Sequence, residues 1–135
     1  EPKPIAKIAS GGELSRVMLA LKSVIADKDS IDTMIFDEID TGVSGKAAQK
    51  IGIKLKEIGK VRQVICVTHL SQIAVMADNH LLIEKNIVDG RTETTVTQLD
   101  FQGKTAEIAR IMGGDNPGSL VIKAAEDELR KAAEI

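Results

Sequence analysis

The chain reads as an α/β protein in which parallel strands are joined by crossover helices and an antiparallel hairpin is appended. Three observations predict this. Helical stripes alternate with two short apolar runs, 33–36 and 64–67, which are bounded by charged or polar residues. The dipeptide Asp89-Gly90, a strong tight-turn signal, lies between the strand-like runs 81–83 and 92–97. At 135 residues and 43% hydrophobic content the chain is long enough for a core, and it is read as a single partial domain over 1–135.

Each element has its own signal. Ser10 and Glu13 form an S-x-x-E capping box, with Ser10 as N-cap. Leu14, Val17, Met18, Leu21 and Ile25 then recur at helical spacing and predict a helix over about 11–26, closed by the polar break 27–30. Residues 33–36 form a fully buried strand that ends on Asp37-Glu38. After a loop with Gly42 and Gly45, a stripe of Ala47, Ala48, Ile51, Leu55 and Ile58 predicts a second helix ending at Gly59. Residues 64–67 are the next buried strand, and 71–76 a short helix. Beyond the hairpin, 106–112 reads as a helix stopped by Gly113-Gly114. Asn116-Pro117 supplies a cap and a first-position proline for a last helix to about 133.

Composition narrows the function. Two Phe and no Trp or Tyr make the core aliphatic and argue against base stacking as a grip on single strands. A net charge of −2 gives no bulk basic footprint for nucleic acid. One cysteine, Cys66, excludes an intrachain disulfide and fits a reducing compartment, the cytoplasm. No apolar run reaches the ~18 residues of a membrane span, so no membrane partner is expected. The opening Glu1-Pro2-Lys3-Pro4, without Met, is read as the start of a fragment of something longer.

Three places carry chemistry. Ser10-Gly11-Gly12 opens a helix whose free N–H groups suit a phosphate oxygen, although a plain capping box fits the same residues. Asp37 and Glu38 stand at the C-terminal end of a strand, where open α/β folds place ligands; one can hold magnesium and the other take a proton from water. The bland alternative is a charged strand end facing solvent. His69 leaves the second strand in the same way. Cys66-x-x-His69 is no zinc site, because His80 is the only other histidine and there is no second cysteine. Gly103-Lys104-Thr105 imitates the end of a phosphate loop without its upstream glycine, and Gly42-Val43-Ser44-Gly45 misses the nucleophile-elbow spacing.

Their joint order is more specific than any one of them. Ser10-Gly11-Gly12-Glu13 precedes 34–38, then Asp40-Thr41-Gly42-Val43-Ser44, then Thr68-His69. This resembles the C-terminal lobe of an ABC/SMC-type P-loop ATPase head: signature motif, Walker B, D-loop and switch histidine. The wording of 8–16, 36–45, 67–70 and 106–114 is similar to the RecN family of bacterial, SMC-like proteins of DNA double-strand-break repair and recombination. Ala9, Glu13 and Leu70 depart from the transporter pattern toward the SMC-like branch, while Ser44 stands where SMC proteins usually show Asp.

The resemblance implies ATP as substrate and Mg²⁺ as cofactor, both needing the N-terminal lobe that carries the Walker A loop. Asp37 would help hold Mg²⁺, Glu38 would polarise the attacking water, and His69 would meet the γ-phosphate in cis. Ser10 and Gly12, within the signature Ser10, Gly11, Gly12 and Glu13, would reach the ATP of a second head. The D-loop Asp40, Thr41, Gly42, Val43 and Ser44 would cross that interface. Partners implied are the N-terminal lobe, a homodimer of heads and DNA through the full-length assembly, in a bacterial cytoplasm at the nucleoid. The lobe alone is expected to be inactive. A transport ATPase half and a non-catalytic dimerisation module are the other readings. Arg16 is expected on the exposed side of the signature helix, either coupling ATP state to dimer or DNA or simply solvated.

Overall fold

The computed structural model describes residues 4, 9–25, 30–88 and 90–135. Lys7 and Ile8 of the opening motif, the helix end at Ala26, the polar break at 27–29 and Asp89 of the turn lie outside these. The elements run α1 (Gly11–Ile25), β1 (Thr33–Phe36), α2 (Gly45–Gly59), β2 (Gln63–Cys66), α3 (Ser71–Ala74), β3 (His80–Val88), β4 (Arg91–Leu99), α4 (Phe101–Gly113) and α5 (Ser119–Ala133). The chain is α/β as expected, and it divides into two compact units, Glu1–Met76 and Ala77–Ile135.

In the first unit β1 and β2 pair in parallel, Thr33 opposite Gln63 and Phe36 opposite Cys66, joined by the crossover helix α2. Met34 and Phe36 point into a core with Leu19, Ile39, Ala48, Ile51, Leu55, Ile58 and Ile73. Val64 and Cys66 pack on the same core from β2. Gly52 lets α2 lie directly against α3: a Cβ there would stand 2.8 Å from the Gln72 carbonyl oxygen.

One expectation fails here, and the orientation of α1 has the same cause. The strands are not fully buried: Ile35 is 70% exposed, and its cross-strand partner Ile65 is exposed beside it. On α1, the stripe Val17, Met18, Leu21 and Ile25 faces outward, while Gly12 and Leu19 are buried. Apolar periodicity marks a face that wants cover, but it does not say which element supplies the cover. Here the core takes the Gly12–Leu19 side of α1 and one face of the sheet.

In the second unit β3 and β4 form the expected antiparallel hairpin, with His80 opposite Leu99 and Gly90 in the left-handed region at φ 75°. Helix α4 begins five residues before the predicted 106, because the Asp100 carboxylate accepts from the Gly103 N–H at 2.7 Å and caps it. Gly103-Lys104-Thr105 therefore lies in the first turns of a helix rather than in a phosphate loop. Helix α5 starts at Ser119 with Gly118 as N-cap, so Asn116-Pro117 precedes the helix instead of opening it. Ile108 and Ala109 of α4 and Ala125, Leu129 and Ala132 of α5 are the buried residues of the pair, and the two helices pack together. Arg130 stands 5.2 Å from the centre of the Phe101 ring.

Candidate functional site

The ends of β1 and β2 define one edge. Their alignment continues past the strands, as the Val67 N–H donates to the Phe36 carbonyl at 3.0 Å. Asp37-Glu38 and Thr68-His69 therefore leave the sheet side by side, at the carboxyl end of parallel strands.

At the start of α1 the capping box closes as its spacing predicts. The Ser10 N–H and hydroxyl both donate to Glu13 Oε2, at 2.7 and 2.9 Å, and the Glu13 N–H returns a 3.3 Å bond to Ser10 Oγ. The Ser10 bonds hold the Glu13 carboxyl below its usual range. Gly11 is exposed, and Gly12 is buried against the strand end. A Cβ on Gly11 would collide with Glu38 Oε2, and one on Gly12 would lie 2.7 Å from the Glu38 carbonyl oxygen. The two glycines thus let this helix N-terminus sit directly against the acidic strand end of the same chain.

Glu38 has φ 56°, the only left-handed non-glycine residue among those described. Such a conformation costs on the order of 1–3 kcal/mol and persists where the surroundings impose it. They do so here: the Glu38 N–H donates to Asp37 Oδ1 at 2.8 Å, the Thr41 N–H to the Glu38 carbonyl at 3.0 Å, and the Ser15 hydroxyl to the Asp37 carbonyl at 2.9 Å. Both acidic side chains remain exposed.

Arg16 corrects its expectation. It is half-buried, and Nη1 donates to the carbonyls of Ile39 at 3.2 Å and Thr41 at 2.9 Å. The helix that carries the glycines is thereby clasped to the loop that carries the acids. Ser15, Arg16 and Thr68 are supporting residues to which the sequence reading gave no such role. Their types are common on any helix or strand end, and only the fold reveals the carbonyls and carboxylate they meet.

The loop from Asp40 to Ser44 is divided. Asp40 is 4% exposed and turned inward, where Oδ2 accepts from the Thr68 hydroxyl at 2.6 Å and the His69 N–H at 3.0 Å and lies 3.0 Å from His69 Nδ1. Burial raises its carboxyl, but the Thr68 and His69 bonds outweigh that and leave it below the usual aspartate range. Thr41 and Gly42 are exposed, Gly42 at φ 72°; Val43 packs against the core; Ser44 is the N-cap of α2, with no side-chain cap bond. Among the described residues Ser44 is hydrogen-bonded neither to the acids nor to His69. Burial, with the charges of Asp40 and Asp37, pushes the Cys66 thiol up to about 11, so this cysteine is protonated and unreactive at neutral pH.

Among the described residues no group of three or more His, Cys, Asp or Glu side chains is gathered to hold a metal ion. The exposed Asp37 carboxylate still fits a shared magnesium site, because Mg²⁺ is commonly held by one or two carboxylates together with phosphate oxygens and water. Among the described residues no helix is long and apolar enough to cross a membrane.

No protein-family model matches the chain. Curated relatives do. The chain is 47% identical over 133 residues to the DNA repair protein RecN of Bacillus subtilis, covering 98% of this chain and 23% of the relative. It is 43% identical over 129 residues to that of Haemophilus influenzae (96% and 23%), and 41% over 131 residues to that of Treponema pallidum (97% and 23%). It thus spans about a quarter of the length of the curated relatives it matches. Similarity along nearly all of its residues, on an ABC/SMC-type ATPase lobe with these acids, glycines and histidine at one edge, makes the chain a segment of the RecN family.

Proposed function

We propose that this segment is the C-terminal lobe of a RecN-type DNA repair ATPase head, in which Glu38 activates the water that attacks ATP. The observation that carries the reading is Glu38 itself. It stands at the carboxyl end of a parallel strand, forced to φ 56°, with a glycine-opened helix N-terminus against it. Strain imposed by this many local bonds is the usual mark of a functional position.

Each residue then has a task. Glu38 takes the proton of the attacking water, and His69 meets the γ-phosphate from the neighbouring strand end. Asp37 would hold Mg²⁺ together with the phosphates; when bound, the ion supplies neutralisation of their charge. Ser10, Gly11, Gly12 and Glu13 form the signature, which reaches the nucleotide of a second head. For Ser10 this requires breaking the hydrogen bond that its hydroxyl now donates to Glu13, so that it can donate to the phosphate instead. The D-loop 40–44 borders that interface through its exposed Thr41 and Gly42. ATP would join two heads and hydrolysis release them, acting on DNA through the full-length protein in the bacterial cytoplasm, at the nucleoid.

The phosphate-binding lysine loop belongs to an N-terminal lobe, so the segment alone is inactive. The open sheet face at Ile35 and Ile65 and the outward stripe Val17, Leu21 and Val24 are surfaces that such a lobe would cover, since parallel sheets are normally buried on both faces. The test is Glu38→Gln in a full-length RecN-family protein. The expected result is retained ATP binding, accumulation of an ATP-bound dimer on size exclusion, and hydrolysis reduced by about 100-fold or more. Unchanged hydrolysis and no dimer accumulation would mean that the acids are vestigial and the segment only a dimerisation module.

A further inference from the structure

Asp40 gathers two hydrogen bonds and one close ring contact on a single buried oxygen, and His69 supplies two of these three. Oδ2 accepts from the His69 main-chain N–H at 3.0 Å and from the Thr68 hydroxyl at 2.6 Å, and it stands 3.0 Å from the ring Nδ1 of His69. The Thr68 oxygen in turn accepts the Leu70 N–H at 3.1 Å. Residues 68–70 are therefore wrapped around a carboxylate delivered by the loop after β1. A carboxylate 3.0 Å from Nδ1 favours the proton on that nitrogen, which leaves the second ring nitrogen over. The ring is 76% exposed, so that nitrogen lies on the outward side.

We propose that Asp40 is a positioning residue for His69: it holds the imidazole in its Nδ1–H form and turns Nε2 outward toward the anionic end of a nucleoside triphosphate. The proposal rests on the phosphate-facing reading of His69 given above and deepens it. It also separates Asp40 from the rest of its loop. A carboxylate offered across a dimer interface would be exposed, whereas this one is buried and spent within the chain. The arrangement is that of metal-binding or catalytic histidines, whose second nitrogen is fixed by a carboxylate so that the first is correctly presented.

Long-range ¹H–¹⁵N NMR on this chain reads the tautomer directly. With its ring neutral, His69 is expected in the Nδ1–H form; finding it in the Nε2–H form overturns the proposal whatever any variant does. Asp40→Asn keeps the size and an acceptor oxygen but removes the charge. It is expected to mix the two tautomers and, in a full-length RecN-family protein, to lower kcat for ATP about 10- to 100-fold with KM changed by less than about twofold. A mixed tautomer with unchanged kcat overturns the proposal. A His69→Ala protein with unchanged kcat overturns the phosphate-facing reading and the proposal with it. That failure is distinguishable, because the native chain would still show Nδ1–H.

Discussion

Two adjacent glycines at the start of α1 meet different neighbours, and the difference decides what each tolerates. A methyl on Gly12 would stand 2.7 Å from the Glu38 carbonyl oxygen and 3.0 Å from both Arg16 Nη1 and the Thr41 Cβ. Backbone cannot yield cheaply, so Gly12→Ala is expected to cost about 1–3 kcal/mol in urea unfolding of this chain. A methyl on Gly11 meets only the tip of the Glu38 side chain, which can swing away. Gly11→Ala should therefore stay within about 0.5 kcal/mol while displacing the acid. Equal losses for the two would show that the helix start does not rest on the strand end. Asp40 gives a second signature, in acid. Its folded carboxyl lies below the ordinary 3.8, so its contribution is present above that value and is lost as pH falls through the lower folded one. Stability should drop below about pH 4, and Asp40→Asn should flatten that part of the profile.

Helix α1 shows how an element can be recognised while its buried side is left undecided. Its existence follows from the capping box and the 3.6-residue repeat. Its orientation follows from polar clasps: the Ser15 hydroxyl on the Asp37 carbonyl, and Arg16 on the carbonyls of Ile39 and Thr41. Arg16→Ala should destabilise the chain by about 1–3 kcal/mol in thermal or urea unfolding. Arg16→Lys should recover only part of this, since one ammonium does not reproduce the guanidinium's spread of donors. A change below about 0.5 kcal/mol for Arg16→Ala would return this residue to the solvated surface.

Across the whole chain the hydrophobic surface is incompletely covered. Ile35 is 70% and Val24 84% exposed on the first unit, and the hairpin of the second exposes Leu81, Ile83, Ile87 and Val96. If a further lobe covers the sheet face, the cost of a polar substitution there depends on whether that lobe is present. Ile35→Thr is expected to change the stability of this chain by at most about 0.5 kcal/mol, and that of a full-length RecN-family protein by about 1–3 kcal/mol. The same small effect in both would mean that the face stays open.

Much of the fold was legible in local residues. The Ser10–Glu13 box, the short apolar runs before Asp37 and Thr68, and the turn glycine at Gly90 each act over a few residues, so α1, β1, β2 and the hairpin could be read from neighbours in the chain. The grouping of Ser10, Gly12, Glu38 and His69 was legible as an order of motifs, without its geometry. What neighbours could not decide was everything set by contacts across 20 or more positions. These include which side of α1 is buried, that Arg16 clasps the loop of Thr41, and that Asp40 is folded inward onto His69. Propensity and periodicity are properties of a segment, whereas a buried carboxylate exists only where distant segments close around it. That closure is supplied by the tertiary structure.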